Sequence, residues 1–144
     1  MTGRLLSSNL SVSPQVQPED LQAIAEAGFR TVICNRPDGE SADQPDTDTL
    51  AEQARALGLA WHHQPVVGGA ISDEDIDIFG TLLAEADKPV FAFCRTGTRC
   101  TVLWALSQAG EQAPETLVSR AAEAGYDING LLPRLMSRQQ DQHG

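Results

Sequence analysis

Short apolar runs alternate with amphipathic stretches along the chain, and the two patterns predict different elements. The runs at residues 29–34 and 89–93 are rich in β-branched and aromatic side chains, which is typical of buried strands. A weaker run at residues 59–64 ends before Pro65, and residues 5–12 favour an additional edge strand. Regularly spaced apolar residues, with Pro, Gly or acidic residues at the boundaries, predict helices between these runs. The helices fall at residues 18–27, 46–57, 72–83, 99–109, 114–124 and 128–137.

This alternation of strands and helices predicts the fold class. Successive βα units form a mostly parallel sheet with helices on both faces. We therefore expect a single α/β domain of four to five strands over residues 1–138, followed by a frayed tail at residues 139–144. Ligands of such sheets bind beyond the carboxyl ends of the strands. The loops predicted to meet there are residues 35–45, 65–70 and 94–98.

The amino-acid composition excludes some classes of binding partner and predicts a cellular compartment. The 144 residues include 10 Lys and Arg against 20 Asp and Glu, and the net charge of −10 argues against nucleic acid and against an anionic membrane surface. No apolar run approaches the roughly 18 residues of a membrane span, and the first residues do not resemble a signal peptide. The three cysteines cannot all pair with one another, which predicts reduced thiols and a cytoplasmic protein.

The chemistry is concentrated in the loop Cys94-Arg95-Thr96-Gly97-Thr98-Arg99, which follows a strand and opens a helix. A cysteine at a helix N-terminus is favoured as a thiolate by free N–H groups and by the helix dipole. Gly97 can adopt a left-handed conformation that turns successive N–H groups toward one centre. We expect Cys94 and Arg99 to be catalytic, since Arg99 can place a bidentate guanidinium over that centre. The substrate-binding residues predicted beside them are Arg95, Thr96, Gly97 and Thr98.

This loop resembles the active loop shared by rhodanese-type sulfurtransferases and cysteine-dependent phosphatases. Over roughly residues 10–135 the chain resembles the bacterial beta-lactamase-hydrolase-like phosphatase/sulfurtransferase domains. The resemblance implies a tyrosine-phosphatase-like, dual-specificity-like fold and a persulfide dioxygenase as a partner, because these domains are often fused to or encoded beside one. The stretches that carry it are Ser13-Pro14-Gln15, Pro18-Glu19-Asp20, Asn35-Arg36-Pro37-Asp38-Gly39-Glu40, Cys94 to Arg99, Leu103-Trp104-Ala105 and Ala124-Gly125-Tyr126-Asp127.

Two departures from tyrosine phosphatases favour sulfur transfer. Those enzymes place five residues between nucleophile and arginine, whereas this chain places four, as rhodanese loops do, and has Cys100 at the next position. Phosphatases also use a general acid to protonate the leaving alkoxide. The loop expected to carry it, residues 65–70, contains no acid, while Asp73 and Asp75 have the pattern of a first helical turn. A leaving thiolate or sulfite needs no such proton.

The favoured function is therefore a cysteine-dependent sulfurtransferase without metal or organic cofactor. The Cys94 thiolate would take the outer sulfur of a small anionic donor, thiosulfate or a glutathione persulfide, and pass it from a persulfide to a thiol acceptor. One alternative is a tyrosine-phosphatase-like phosphohydrolase that forms a phosphocysteine on Cys94. The other is an anion-binding module or a redox sensor that uses Cys94 and Cys100.

Supporting roles are predicted for the strand-end segment at residues 35–40 and for Cys100. In that segment Arg36 would add positive charge at the rim of the site, and Asp38 or Glu40 would orient Arg99; a plain β-turn accounts for the same residues. Cys100 is either a resolving thiol or a small packing residue. The predicted supporting residues are Asn35, Asp38, Glu40 and Cys100, and Cys34 is assigned to the core.

Overall fold

The computed structural model describes residues 3–143, with side chains through residue 140. One five-stranded sheet forms its centre, in the order β1-β2-β5-β3-β4. Strands β2, β5, β3 and β4 run parallel, and only β1 is antiparallel to its neighbour. The mostly parallel α/β sheet predicted from the sequence is therefore confirmed. The strands are β1 Arg4–Ser7, β2 Leu10–Ser13, β3 Thr31–Cys34, β4 Ala60–His63 and β5 Val90–Phe93.

In the described part of the chain, six α-helices connect and cover the strands, close to the predicted positions. Local signals explain several boundaries: α3 begins with a capping box between Ser72 and Asp75, and α5 begins with Pro114 in its first turn. A 3₁₀-helix at Asn129–Leu131 precedes the last helix. The α-helices are α1 Asp20–Glu26, α2 Thr47–Ala56, α3 Asp73–Glu85, α4 Thr98–Ser107, α5 Pro114–Glu123 and α6 Leu132–His143. No helix in residues 3–143 is long and apolar enough to cross a membrane.

Both ends of the chain differ from the sequence prediction. Residues 5–12 were expected to form one edge strand, but they belong to a hairpin whose second strand lies inside the sheet, paired with β5. All four residues of β2, Leu10–Ser13, are buried, whereas a strand with one solvated face would bury only every second residue. At the other end α6 includes residues 139–143, which were assigned to the tail, while residue 144 lies outside the described part.

Two apolar clusters pack on the sheet and leave its carboxyl edge uncovered. On one face, Phe79 of α3 and Leu103 of α4 pack with Leu135 of α6. On the other, Leu21 of α1 and Leu50 of α2 pack on the β5 phenylalanines. The helices therefore occupy the faces, and the loops that follow β3, β4 and β5 meet at one end.

Candidate active site

The loop after β5 places a cysteine sulfur against the start of a helix. Strand β5 runs directly into Cys94, and α4 begins at Thr98. Between them Gly97 has a φ of 94°, and its N–H points to the Cys94 Sγ at 3.1 Å. The Tyr126 phenol lies against Gly97 where a Cβ atom would have to fit. Glycine is therefore required here both by the left-handed backbone and by the close approach of Tyr126.

Cys94 is held as a thiolate. Its side chain is almost completely buried, yet its pKa is lowered to about 6. The largest cause is a hydrogen bond from the Cys100 side chain, and the N–H groups of Cys100, Gly97 and Thr96 act in the same direction against the opposing effect of burial. With this pKa there are about ten thiolates for each thiol at pH 7. The loop therefore favours the thiolate form of Cys94 at neutral pH.

Cys100 connects the nucleophile to a buried polar chain. Its Sγ is fully buried and donates to Asn35 Oδ1 at 3.2 Å, and burial raises its pKa well above the ordinary value, so it stays a neutral thiol. Asn35 in turn donates through Nδ2 to the main-chain oxygen of Gln64 at 3.1 Å and to its Oε1 at 3.3 Å. Because a thiol has one proton, Cys100 donates at any moment either to Asn35 or to Cys94.

Arg99 is fixed by a carboxylate and a main-chain oxygen. Its Nη1 donates to Glu40 Oε2 and to the Val66 oxygen, both at 2.9 Å, and its Nη2 donates to Glu40 Oε1 at 3.0 Å. A guanidinium has five N–H donors, so three are occupied. Within residues 3–143, the N–H of Nε and the second N–H of Nη2 have no protein partner. These two donors lie on one edge of the guanidinium, a geometry suited to two oxygens of one anion.

The sequence predicts Arg36 at the rim of the site, but in the structure the Arg36 side chain is buried. Its side chain is only 4% exposed, and Nε donates to Glu40 Oε1 at 3.0 Å. The remaining contacts go to Gln15 Oε1 at 3.0 Å and to Ser41 Oγ at 3.3 Å. Glu40 thus bridges Arg36 and Arg99. Both arginines lower the pKa of Glu40, Arg99 having the larger effect, so this carboxylate stays ionised.

Only one of the two carboxylates expected to orient Arg99 contacts it. Glu40 does so, whereas Asp38 Oδ1 accepts from the N–H of Thr47 at 3.2 Å and from the Thr47 hydroxyl. Asp38 therefore anchors the start of α2. The reason is the turn at residues 37–39, which separates the two carboxylates so that they serve different elements.

The other predicted loop residues are exposed at the mouth of the site. Thr96 Oγ1 and Thr98 Oγ1 are 3.1 Å apart, and the Thr98 N–H also approaches Thr96 Oγ1 at 3.3 Å. The main-chain oxygen of Arg95 accepts from the Gln15 N–H at 3.2 Å. Arg95 is exposed, and it lines a small polar cleft together with Gln15 and Arg36. The structure thus brings all six residues of the loop together, with Cys94 at its base.

Several residues that contact the site, three of them named here, were not selected from the sequence as functional residues. Gln15 holds Arg36, Gln64 holds Asn35, and Tyr126 donates to the Thr96 oxygen at 3.2 Å. Two of them had a signal, because Gln15 and Tyr126 belong to stretches that carry the family resemblance. Gln64 had none, since a buried glutamine at a strand end is not distinguishable from an exposed one by local pattern.

The loop above Arg99 brings no carboxylate to the site. It consists of residues 65–70, and the first acids after it serve α3: Asp75 belongs to the capping box with Ser72, and Asp73 pairs with Arg138 at 2.9 Å. Among residues 3–143, no group of three or more His, Cys, Asp or Glu side chains is arranged to hold a metal ion.

A protein-family model decides which family this arrangement represents. The model of the beta-lactamase hydrolase-like protein, phosphatase-like domain, matches residues 3–111. The chain belongs to this family. The phosphatase-like domain is 32% identical over 125 residues to a beta-lactamase hydrolase-like protein of Xylella fastidiosa, a match that covers 85% of the chain. It spans only 29% of the length of that relative.

Solved structures agree with this family. A crystal structure of a candidate phosphatase from Neisseria meningitidis Z2491 is 38% identical to the phosphatase-like domain, with a TM-score of 0.87 and coverage of 96% of this chain and 99% of the other. A kinase-associated phosphatase with its catalytic-site cysteine replaced by serine is 15% identical, with a TM-score of 0.70 over 94% of this chain and 86% of its own. The second likeness shows the fold alone. The expected tyrosine-phosphatase-like fold is thereby confirmed.

The comparisons reorder the functional alternatives. They associate the phosphatase-like domain with a cysteine-based, tyrosine-phosphatase-like fold, which favours the phosphohydrolase that the sequence analysis placed second. Sulfur transfer is not shown by any of them. The cytoplasmic location and the dioxygenase partner stay predictions.

Proposed function

We propose that the phosphatase-like domain is a cysteine-dependent phosphohydrolase that forms a phosphocysteine on Cys94. The observation that carries this proposal is the Cys94 sulfur itself, a thiolate with a pKa of about 6 that is surrounded by inward N–H groups. Beside it Arg99 presents two free donors on one edge of a guanidinium fixed by Glu40. A nucleophile next to converging donors for a tetrahedral oxyanion is the arrangement that phosphoryl transfer requires.

The first step transfers the phosphoryl group to sulfur. The loop N–H groups and the free edge of Arg99 bind the non-bridging oxygens, and the Cys94 thiolate attacks phosphorus. An S–P bond forms, the P–O bond to the leaving group breaks, and the leaving oxygen keeps the electron pair. Thiolate activation contributes about thirtyfold at pH 7, whereas each oriented oxyanion donor contributes about a hundredfold or more. Orientation of the donors is therefore the larger effect.

The second step regenerates the enzyme. A water molecule attacks phosphorus in the phosphocysteine and gives its proton to solvent, and the S–P bond breaks to release inorganic phosphate and the Cys94 thiolate. Because the thiolate has a low pKa, it is a good leaving group.

The absence of a carboxylate on residues 65–70 restricts the substrate of the first step. Without a general acid, an oxygen leaves readily only if its conjugate acid is acidic, and a phenol, with a pKa of about 10, meets this condition far better than an aliphatic alcohol. We therefore expect aryl phosphates to be hydrolysed and alkyl phosphates to be poor substrates.

Turnover of p-nitrophenyl phosphate by the purified chain tests the proposal. Cys94→Ser should abolish it, and rapid acid quenching of the wild type should trap one phosphoryl group on a peptide that contains Cys94. Cys34→Ala is the matched control: Cys34 is buried in β3 with a pKa raised to about 12, so its loss should leave turnover in place. Turnover that persists in Cys94→Ser contradicts the proposal.

Sulfur transfer is the second candidate, supported by the four-residue spacing from Cys94 to Arg99 and by the missing acid. Here the thiolate attacks the outer sulfur of thiosulfate, the S–S bond breaks, and sulfite leaves with the electron pair. A thiol acceptor then takes the sulfur from the Cys94 persulfide. Intact-mass analysis after incubation with thiosulfate should show one added sulfur that is absent in Cys94→Ser; no adduct, together with aryl phosphate turnover, selects the phosphohydrolase.

A further inference from the structure

The outer edge of β4 lacks the features that usually block strand pairing. β4 contains no lysine, arginine or proline and keeps a regular register with β3. The other edge strand, β1, begins with Arg4, and its register with β2 shifts between Leu5 and Ser7. Charged side chains, prolines and bulges are common means of preventing a sheet edge from pairing with another chain. The edge of β4 is therefore open to a further strand.

The free backbone groups of this edge belong to Trp61 and His63. The N–H groups of Ala60 and Gln64 donate toward β3, at 3.0 and 2.8 Å. Because the hydrogen-bonding direction alternates along a strand, the N–H and C=O groups of Trp61 and His63 face away from β3. No turn or loop of the described chain forms a backbone hydrogen bond with them. An extended segment beside β4 can therefore pair with these main-chain groups.

A groove of about 810 Å³ lies at this edge, between α2 and α3, and its two walls differ in chemistry. The α2 wall carries Asp48 and Glu52, which are exposed and lie one helical turn apart. The α3 wall carries Ile78, which is 43% exposed, and Leu82. Side chains of an extended chain alternate between its two faces. A strand in the groove would thus direct one set of side chains to an acidic wall and the other set to an apolar wall.

The charge of the groove favours a cationic occupant. Asp48 and Glu52 have no ion pair within the described residues. Glu74 adds a carboxylate beside Ile78. Arg55 also lines the groove, but it lies in the last turn of α2, near the start of β4. A second copy of this chain, with its net charge of −10, would bring acidic residues against acidic residues, so a basic partner is the better complement.

We propose that the β4 edge is a docking site for a basic, extended segment of a partner protein, which adds a sixth strand to the sheet. Lysine or arginine side chains of that segment face Asp48 and Glu52. The apolar side chains between them cover Ile78, and the backbone pairs with Trp61 and His63.

A capped hexapeptide of alternating lysine and valine tests the docking site by NMR titration of the intact chain. The amides of Trp61 and His63 should become protected against hydrogen exchange in the complex. Methylation of every peptide nitrogen keeps the charge and the side chains but removes the main-chain donors, so it should weaken binding about tenfold. The counterpart of alternating glutamate and valine should bind about tenfold more weakly as well.

Two double variants separate the groove from the overall charge. Asp48→Asn/Glu52→Gln should weaken binding of the lysine–valine peptide about fivefold, as expected for the loss of two exposed ion pairs. Glu111→Gln/Glu115→Gln is the matched control, because it changes the net charge equally at exposed residues that do not line the groove. It should bind the peptide as the wild type does.

Several results would overturn the inference. They are no binding of the lysine–valine peptide, equal affinities for its methylated form, or equal losses in the two double variants. Self-association of the chain that protects the same two amides would assign the edge to a second copy. Displacement of the peptide by inorganic phosphate would place it at the Cys94 loop instead.

The docking site is independent of the proposed function, since Cys94 does not line the groove. Cys94→Ser should therefore bind the peptide as the wild type does. Failure of the proposed function looks different: peptide binding would persist while p-nitrophenyl phosphate is not turned over.

Discussion

Glu40 accepts two hydrogen bonds from the Arg99 guanidinium, at 2.9 and 3.0 Å, and so holds the Nη1–Nη2 edge and leaves the Nε edge free for a ligand. The same carboxylate also neutralises Arg36, whose side chain is 4% exposed. Glu40 thus has two roles. It orients the arginine beside the nucleophile, and it compensates a buried charge behind it.

Glu40→Gln is expected to reduce both activity and stability. The neutral amide cannot hold both guanidinium groups, so Arg99 loses its orientation, and kcat/KM for p-nitrophenyl phosphate should fall at least tenfold. The buried Arg36 loses its counter-charge, so the free energy of unfolding should fall by about 1–3 kcal/mol in urea denaturation. Asp38→Asn is the control, since Asp38 contacts Thr47 and not Arg99. Equal losses of kcat/KM in the two variants would contradict the orienting role.

The reactivity of Cys94 should titrate near pH 6. The thiolate is the reacting form, so the rate of iodoacetamide modification should rise through about pH 6 and be nearly constant by pH 8, in contrast to the ordinary thiol value of about 8.5. Peptide mapping after partial modification identifies the residue. Cys34, with its pKa raised to about 12, should stay unmodified in the folded chain and provides an internal reference. A rate that still rises tenfold per pH unit between 7 and 8 would refute the lowered pKa.

The same pKa predicts how Cys94 affects stability. Its folded pKa of about 6 lies below the ordinary thiol value of about 8.5, so between these values the unfolded chain binds more protons than the folded one. The contribution of Cys94 should therefore increase from about pH 6 to about pH 8.5 and be lost as the pH falls through about 6. Urea midpoints of the wild type and Cys94→Ser, compared across this range, should converge at the acidic end.

Cys100 should act on Cys94 through its proton. Cys100→Ala removes the hydrogen bond that most strongly lowers the Cys94 pKa, so the modification profile should move to higher pH. It also leaves Asn35 Oδ1 without its donor, at a cost of about 1–3 kcal/mol in unfolding free energy. Cys100→Ser keeps a donor and should keep the profile close to that of the wild type. Identical profiles for the Ala and Ser variants would show that the thiol acts only by packing.

Gly97→Ala should damage the loop. The left-handed φ of 94° costs about 1–2 kcal/mol with an alanine, and the new methyl group would displace Tyr126. We expect loss of most p-nitrophenyl phosphate turnover and a lower melting temperature. Gly130→Ala is the control, because Gly130 has ordinary φ and open space around it. A Gly97→Ala variant with normal turnover would show that the N–H from residue 97 does not orient the substrate.

The local part of the site was predictable from the sequence. Strand, cysteine, glycine and arginine follow one another between residues 90 and 99, so pattern alone selected the loop that joins β5 to α4. Most helix and strand assignments fell within a few residues of the observed bounds. Local pattern also predicted that a carboxylate after β3 would reach Arg99. It could not choose between Asp38 and Glu40, because the choice depends on how the turn directs each side chain.

The long-range contacts were not predictable in the same way. The hydrogen bond between Cys100 and Asn35 spans 65 positions, and the contact of Tyr126 with the Thr96 oxygen spans 30. Such pairs depend on the packing of complete elements and leave no periodic signal. Arg36 illustrates the same problem, since its burial follows from Gln15, a residue on a different connection. The hairpin at the start of the chain was missed because two short strands and a turn resemble one strand.

The central position of β5 has a consequence for how this domain tolerates change. The backbone around the nucleophile is tied on both sides, through Cys94 N–H to Ser13 O at 3.4 Å and Asn35 N–H to Phe93 O at 2.9 Å. Amide exchange of β5 should therefore require cooperative opening of the whole sheet. Strands β1 and β4 lie at the margins, where a substitution or an inserted residue disturbs one neighbour only. Substitutions in β1 and β4 can therefore accumulate without moving the Cys94 sulfur.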